Sequence, residues 1–566
     1  MTIDQGLTGI SSSEIVELPR VAVNQRHFVL RSETILHSLL NWANKQGYYL
    51  CDLVATDGRQ LIDRTFKLHF ILSSGARNVD ELVILEYFVS DPQRAIYASV
   101  ADIFPNAAPL EQEIHDLFGL VATSSDQARF QPGFLLHPEA YPLEFFPLRR
   151  RRTLNALRDL LAPFSPSDDI PPAITNLREG MFEVPVGPIH AGVIEAGHFR
   201  FSGGGEVTEA LSLRLGYKHR GIEKLFETHR TLQDGSALAE IVSGDSAVAH
   251  SIAYCQAVED LAQKSVPTAV HQWRALFLEL ERIYNHISDM GLLATGVAYE
   301  RVAAPLATLR ELLVHFVNQP LSGNRFLRGL SLPGGVRPPG LDILSQIGSH
   351  LEVIVQEALQ LGKEVLEGST CRARMLATGV LTRAEARYAT GLAARASGWI
   401  EHDFRRRHPS PAYASPEIRK CLDETITGED KPSSRLAPIY LHDLKGDVFA
   451  RLAIRVAETE TSLYLVKQLI RALQNQKAPI SQPGALELRW DSIPEMAMGI
   501  GYAEGWRGDV MYAVFKGPGN TMARCKIRDP STFNWHVFPK AVAKNILADF
   551  PLINKSFNLS YAGHDK

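Results

Sequence analysis

One proline-rich stretch, from Pro163-Phe164-Ser165-Pro166-Ser167 to Pro171-Pro172, divides the 566-residue chain into halves with different hydrophobic periods. Proline fixes φ and removes a backbone donor, so neither a helix interior nor a central strand runs through it. Before it, Arg31 to Gln46 has helical spacing. Phe66-Lys67-Leu68-His69-Phe70-Ile71-Leu72 and Asp80 to Phe88 read as strands, partly alternating and partly continuous apolar. After it, Phe182 to Gly205 reads as strand and turn, and helical patterns then dominate. Leu276, Leu280, Ile283 and Ile287, with Phe277, Tyr284 and Met290 beside them, give one long helix a broad apolar face; Asp447 to Leu473 is a second, with Leu452, Val456, Leu463, Val466 and Ile470 on one side. The expected class is α+β: an extension over 1–25, a small α/β domain over 26–162, a linker over 163–175 and a mainly helical domain over 176–566 that opens with a β-hairpin region.

Composition narrows the function classes. At 45% apolar and 22% charged the chain is too hydrophobic for disorder. A net charge of −4 and a pI near 6.6 give no footprint for nucleic acid or a polybasic membrane contact. The run Arg149-Arg150-Arg151-Arg152 is expected to be a solvated face between domains. No stretch approaches the ~18 apolar residues of a membrane span, and Met1 to Asn24 has no signal-peptide core. The expected location is the cytoplasmic side of the membrane, with membrane contact only through partner subunits. Cys51, Cys255, Cys371, Cys421 and Cys525 form no C-x-x-C, which argues for buried inert thiols rather than disulfides or a cluster.

Several motifs carry a family resemblance. Glu113-Ile114-His115-Asp116-Leu117-Phe118-Gly119-Leu120, then Leu135-Leu136-His137-Pro138 and Tyr141-Pro142-Leu143, resemble the 30-kDa subunit of respiratory complex I. From the residues alone, Gly119 reads as a helix C-cap; the resemblance implies a docking surface. Tyr217-Lys218-His219-Arg220-Gly221-Ile222-Glu223-Lys224, Glu279 to His286, Gly323 to Gly329 and Glu504-Gly505-Trp506-Arg507-Gly508 resemble the 49-kDa subunit, and still more closely the large subunit of energy-converting nickel–iron hydrogenases of the formate hydrogenlyase type. The two resemblances together cover roughly residues 30–566.

In the hydrogenases of that group, a Cys-x-x-Cys-x-x-x-His and an Asp-Pro-Cys-x-x-Cys hold the metal. The corresponding segments here read Ser243-Gly244-Asp245-Ser246-Ala247-Val248-Ala249-His250 and Asp529-Pro530-Ser531-Thr532-Phe533-Asn534. Nickel requires soft thiolates, whereas Ser243, Ser246, Ser531 and Asn534 offer hard or neutral groups. No metal and no cofactor bound by this chain is therefore expected, and the nickel–iron centre is taken as lost. Cys255, nine residues past Ser246, lies ~13 Å away if the intervening stretch is helical, and is no replacement; nor is Cys525, expected on a strand. Asp245 or Ser246 is expected to cap a helix starting near Ala247. Complex I uses this region for a quinone head group, with a tyrosine whose position here is Gly244 and a histidine that corresponds to His190 or His198, a small insertion leaving the register open.

The resemblance also supplies candidate cavity and proton-transfer residues: Glu195, His198, His250 and Arg507, expected to converge on a small wet pocket lined by the four replaced positions. The segment Phe550 to Tyr561, with its apolar anchors, is expected to pack. The implied function is a peripheral-arm subunit of a membrane-bound, ion-translocating oxidoreductase complex. The alternative is a non-redox coupling or scaffold subunit. The implied partners are an iron–sulfur small subunit, antiporter-like and anchor membrane subunits, and a quinone or other small-molecule acceptor, with no nucleic acid.

Overall fold

The computed structural model describes residues 3–7, 11, 13–19, 24–60, 64–74, 81–123, 133–142, 144–150, 153–165, 180–190, 194–399, 403–414, 416–427, 444–475 and 490–566. Linker residues 166–175, together with Asp80, Leu143, Arg151 and Arg152, lie outside the described residues.

The first half is built on a five-stranded sheet. Strands β1 (Ile15–Glu17), β2 (Gln25–Leu30), β3 (Tyr49–Asp57), β4 (Phe66–Ser73) and β5 (Leu82–Phe88) stand in the order β1-β2-β5-β4-β3. Only β2 and β5 pair in parallel. The side-chain period of two explains why the strands read as partly continuous apolar runs, because both faces are covered. Leu68, Phe70 and Leu72 pack with Leu36, Leu39 and Leu40 of α1 (Glu33–Lys45), while Ile71, Val54 and Ile84 face Met511, Ala513 and Phe515 of the second half. Ser32 caps α1 through Ile35 N–H. The extension expected over 1–25 is in part a piece of this domain: β1 pairs with β2, and Ile3 is fully buried in the same core. Short β6 (Ile96–Ala98) and β7 (Val121–Thr123) flank α2 (Ala107–Phe118). Gly119 ends α2 at φ 71°, and a Cβ there would meet the Arg149 guanidinium at 2.5 Å, so the glycine is required twice over.

The second half opens with the antiparallel set β8 (Phe182–Val186), β9 (His198–Gly204) and β10 (Val207–Arg214). Helices α3 (Ala247–Leu261), α4 (Thr268–Gly296), α5 (Leu341–Glu367) and α6 (Val448–Gln474) follow, with the two-residue strands β11 (Ser331–Leu332) and β12 (Gly335–Val336) between them. The sheet β13 (Met498–Glu504), β14 (Asp509–Lys516) and β15 (Met522–Arg528) leads into α7 (Pro530–Val542), α8 (Phe550–Phe557) and α9 (Tyr561–Asp565).

Helix α6 departs from the expected one-sided pattern. Its polar flank is buried too, because Arg455 meets Asp289 of α4 at 2.6 Å and Glu458 meets His286 at 2.9 Å and Arg395 at 2.7 Å. Charges buried in this way are tolerated because each is paired.

The two halves are joined by ions as well as by apolar packing. Glu113 of α2 accepts from Lys526 of β15 at 2.5 Å and from Lys566 at 2.7 Å. Tyr217 packs edge-on against His137 of the first half with ring centroids 4.8 Å apart, and the Arg524 guanidinium lies over Phe118. Glu113, Phe118 and Tyr217 thus lie at the contact between the halves.

Candidate functional site

The segments 243–250 and 529–534, nearly 300 residues apart in sequence, meet at one place. Between Ser243 and Ser531 stands Ser560, in the turn between α8 and α9. The Ser560 hydroxyl lies 2.8 Å from that of Ser243, and its backbone N–H donates to Ser531 Oγ at 3.0 Å. Ser243 Oγ also donates to Asp245 at 3.0 Å. Ser243 and Ser531 are therefore bridged by a single residue, and both are buried.

An arginine–carboxylate pair and a histidine–carboxylate pair flank this bridge. Arg507, buried in the β13–β14 turn, donates through both terminal nitrogens to Asp245, at 2.6 and 2.7 Å, and to Ser246 Oγ at 3.2 Å; its Nε donates to Asn558 O at 2.5 Å. Such a bidentate geometry is stronger and more directional than a point contact. His250, fully buried on α3, lies 3.0 Å from Asp529 Oδ2 through Nε2 and 3.0 Å from the Tyr512 hydroxyl through Nδ1. Asp529 also caps α7 by accepting from Ser531 N–H at 2.7 Å. Burial alone would raise the Asp529 carboxyl, but the hydrogen bond and charge of His250, the Arg507 charge and the Ser531 side chain together hold it down at about 2.

The remaining expected residues are placed differently. Asn534, one turn along α7, exchanges two hydrogen bonds with the Thr390 backbone at 3.0 and 3.2 Å. Glu195 is half-buried and accepts from Ala562 N–H at the start of α9, at 2.9 Å. It reaches the cluster only through the 560–562 turn. His198 on β9 lines a separate cleft of about 330 Å³, together with Arg200, Arg214, His536 and His564. His190 packs edge-on against Phe199 instead. Gly244 is exposed. The expectation of one pocket shared by Glu195, His198, His250 and Arg507 is therefore corrected. Arg507 and His250 share the cluster, Glu195 stands behind it and His198 faces elsewhere. At the place expected for a wet pocket, Ser560 gives a hydroxyl to Ser243 and an amide to Ser531 directly.

The cap expected from Asp245 or Ser246 is also absent. Ser246 occupies the N-cap position, but its side chain bonds no helix N–H. The Glu281 carboxylate of α4 accepts from Val248 N–H at 2.7 Å and from Ala249 N–H at 3.1 Å. A cap brought from another helix leaves no local pattern; the sign available in sequence is a charged residue inside the apolar run Leu276 to Met290. Cys255 lies two turns along α3 and Cys525 on β15, both buried, and burial first of all pushes each thiol up, so neither is poised as a thiolate. Chemically the cluster is a set of serine hydroxyls and one backbone amide between the Arg507–Asp245 and His250–Asp529 pairs, and it offers no soft donor.

A pH dependence follows from Asp529. A carboxyl depressed in the folded state contributes stability above its ordinary value of 3.8 and loses it as pH falls through about 2. This group accounts for roughly 2 kcal/mol over that window. In an Asp529→Asn variant the deficit relative to the parent should narrow by that amount between pH 4 and pH 2, read from denaturant midpoints. A gap that stays constant over this range would contradict the assignment.

Among the described residues no helix is long and apolar enough to cross a membrane. Residues 29–156 match the family described as respiratory-chain NADH dehydrogenase, 30 Kd subunit, and residues 302–566 match the 49 Kd subunit of the same enzyme. Hydrogenase-4 component G of Escherichia coli is 29% identical over 89% of this chain and 82% of its own length. Formate hydrogenlyase subunit 5 of the same organism is 27% identical over 92% of this chain and 85% of its own. A chain of the membrane-bound sulfane sulfur reductase, an archaeal respiratory membrane complex, shares the fold with a TM-score of 0.58 at 23% identity, over 69% of this chain and all of that one. The chain is a fusion of the 30-kDa and 49-kDa domains of the respiratory-chain NADH dehydrogenase family, and a homologue of hydrogenase-4 component G and formate hydrogenlyase subunit 5.

Proposed function

We propose that this chain is a peripheral-arm subunit of a membrane-bound, ion-translocating oxidoreductase complex related to complex I and formate hydrogenlyase, with the nickel–iron position closed by protein. The observation that carries the reading is Ser560, which ties Ser243 to Ser531 through direct hydrogen bonds. Thiolates hold nickel in such centres, whereas the groups here are neutral hydroxyls and an amide already engaged with protein partners. These residues do not fit the group. In this reading the partners are an iron–sulfur small subunit on one side and antiporter-like and anchor membrane subunits on the other. The Arg507–Asp245 and His250–Asp529 pairs, with Glu195 behind them, hold charge or protons during coupling and do not activate hydrogen.

A second reading is favoured by the cleft at His198. If this chain does bind a quinone or another small acceptor, a cleft of about 330 Å³ lined by three histidines and two arginines is a better place for it than the closed cluster.

The test is to isolate the intact complex from membranes through a tag on this chain. Co-purification of iron–sulfur and membrane-embedded subunits, with no hydrogen-dependent dye reduction, is expected. A chain recovered without such partners, or one that reduces dye with hydrogen, would overturn the reading.

A further inference from the structure

Three ligand-type side chains stand on adjacent strands of the first sheet, outside the cluster above. His27 is on β2, Glu86 on β5 and His69 on β4, and the strand order β2-β5-β4 sets them side by side. The register pairs His69 directly with Glu86, and His27 is offset by two residues on the same face. His27 Nε2 lies 3.0 Å from Glu86 Oε2, His69 Nδ1 lies 3.9 Å from the same oxygen, and all three ligand atoms fall within 4.8 Å of one another.

His69 needs an explanation. It is 3% exposed, wedged between the two halves with its ring 5.2 Å from that of Phe515, and neither ring nitrogen has a hydrogen-bond partner among the described residues. A buried polar group left in this state costs about 1–3 kcal/mol.

We propose that His27, His69 and Glu86 form a binding site for a divalent transition-metal ion of the zinc class. Two imidazoles and one carboxylate are a three-ligand set for such an ion, with a fourth position left for water. Bonds of about 2.0–2.2 Å place ligand atoms ~3.4 Å apart in a tetrahedral site. The present spacing reaches that by small side-chain rotations on strands already fixed in register. His27 is the more exposed of the two histidines, with a side chain 17% accessible, and gives the ion its way in. Lys67, 3.0 Å from Glu86 Oε1, stays on the oxygen the ion does not need; its charge lowers affinity without blocking the site. A bound ion would tie three strands of the sheet together and supply a partner for His69.

The full chain, stripped with EDTA, is titrated with ZnCl2 by calorimetry, and in parallel with CoCl2, whose visible spectrum reports coordination geometry. One Zn2+ per chain at micromolar concentration is expected, with a rise in melting temperature. His27→Gln and His69→Gln should each weaken binding by more than the about 10–100-fold that loss of a supporting contact costs, because each removes a ligand. His27→Gln lies near the surface and carries the test if His69→Gln does not fold. No zinc retained at micromolar concentration, or unchanged zinc affinity in His27→Gln, would overturn the proposal.

Discussion

Glu458→Leu is expected to lower the unfolding free energy by about 3–5 kcal/mol. Glu458 stands in the interior on α6 and receives Arg395 at 2.7 Å, His286 at 2.9 Å and Arg282 at 3.5 Å. Both arginines are fully buried. Each keeps a second carboxylate, since Arg395 also holds Glu504 at 2.7 Å and Arg282 holds Glu279 at 3.3 Å. Those carboxylates are already shared: Glu279 serves Arg405, Tyr413 and Ser462, and Glu504 accepts from Phe404 N–H. Removing Glu458 takes from Arg395, Arg282 and His286 the acceptor they share and leaves buried N–H groups without a partner, while Glu279, Glu504 and Asp403 stay committed to the three arginines. Glu458→Gln keeps the shape and an acceptor for His286, and should cost less. Denaturant unfolding of the two variants checks this, and equal, small losses would contradict the buried-charge account.

Glu113→Gln should be nearly as costly, about 3–5 kcal/mol, and should act on the joint between the halves. Glu113 is 2% exposed and is the shared partner of Lys526 and Lys566, each about 1% exposed. Without its charge, Lys566 keeps Glu223 at 3.5 Å, which already serves Arg524, and the more distant buried Asp52. Two ammonium groups would then lie buried with little compensation. Faster proteolytic separation of the first half from the second is expected, along with lower stability. A loss below about 1 kcal/mol would mean that these pairs contribute no more than surface salt bridges do.

Much of the architecture is legible in one dimension because it rests on local rules. Strands β4 and β5, the end of α2 at Gly119, the apolar face of α4 and the run of α6 follow from period and glycine. The meeting of segments 243–250 and 529–534 is readable only through the family resemblance, since no local pattern joins residues so far apart. Three features could not be read. Arg451, Arg455 and Glu458 look like the wet side of a helix, and only the packing of α6 on α4 shows that they are buried. The cap of α3 comes from Glu281 on another helix, so Ser246, a good cap by type, makes no such bond. Ser560 lies in a turn that has no motif of its own, yet it closes the cluster. In each case a long-range partner outcompetes the local preference.

The account stands on the claim that Ser243, Ser246, Ser531 and Asn534 do not hold nickel. The most direct measurement is nickel and iron by elemental analysis on the intact, membrane-derived complex, normalised to this chain. Nickel at background level is expected, with iron accounted for by the clusters of the iron–sulfur partner. About one nickel per chain, retained through purification and lost on changing Ser531 or Ser243 to alanine, would contradict it.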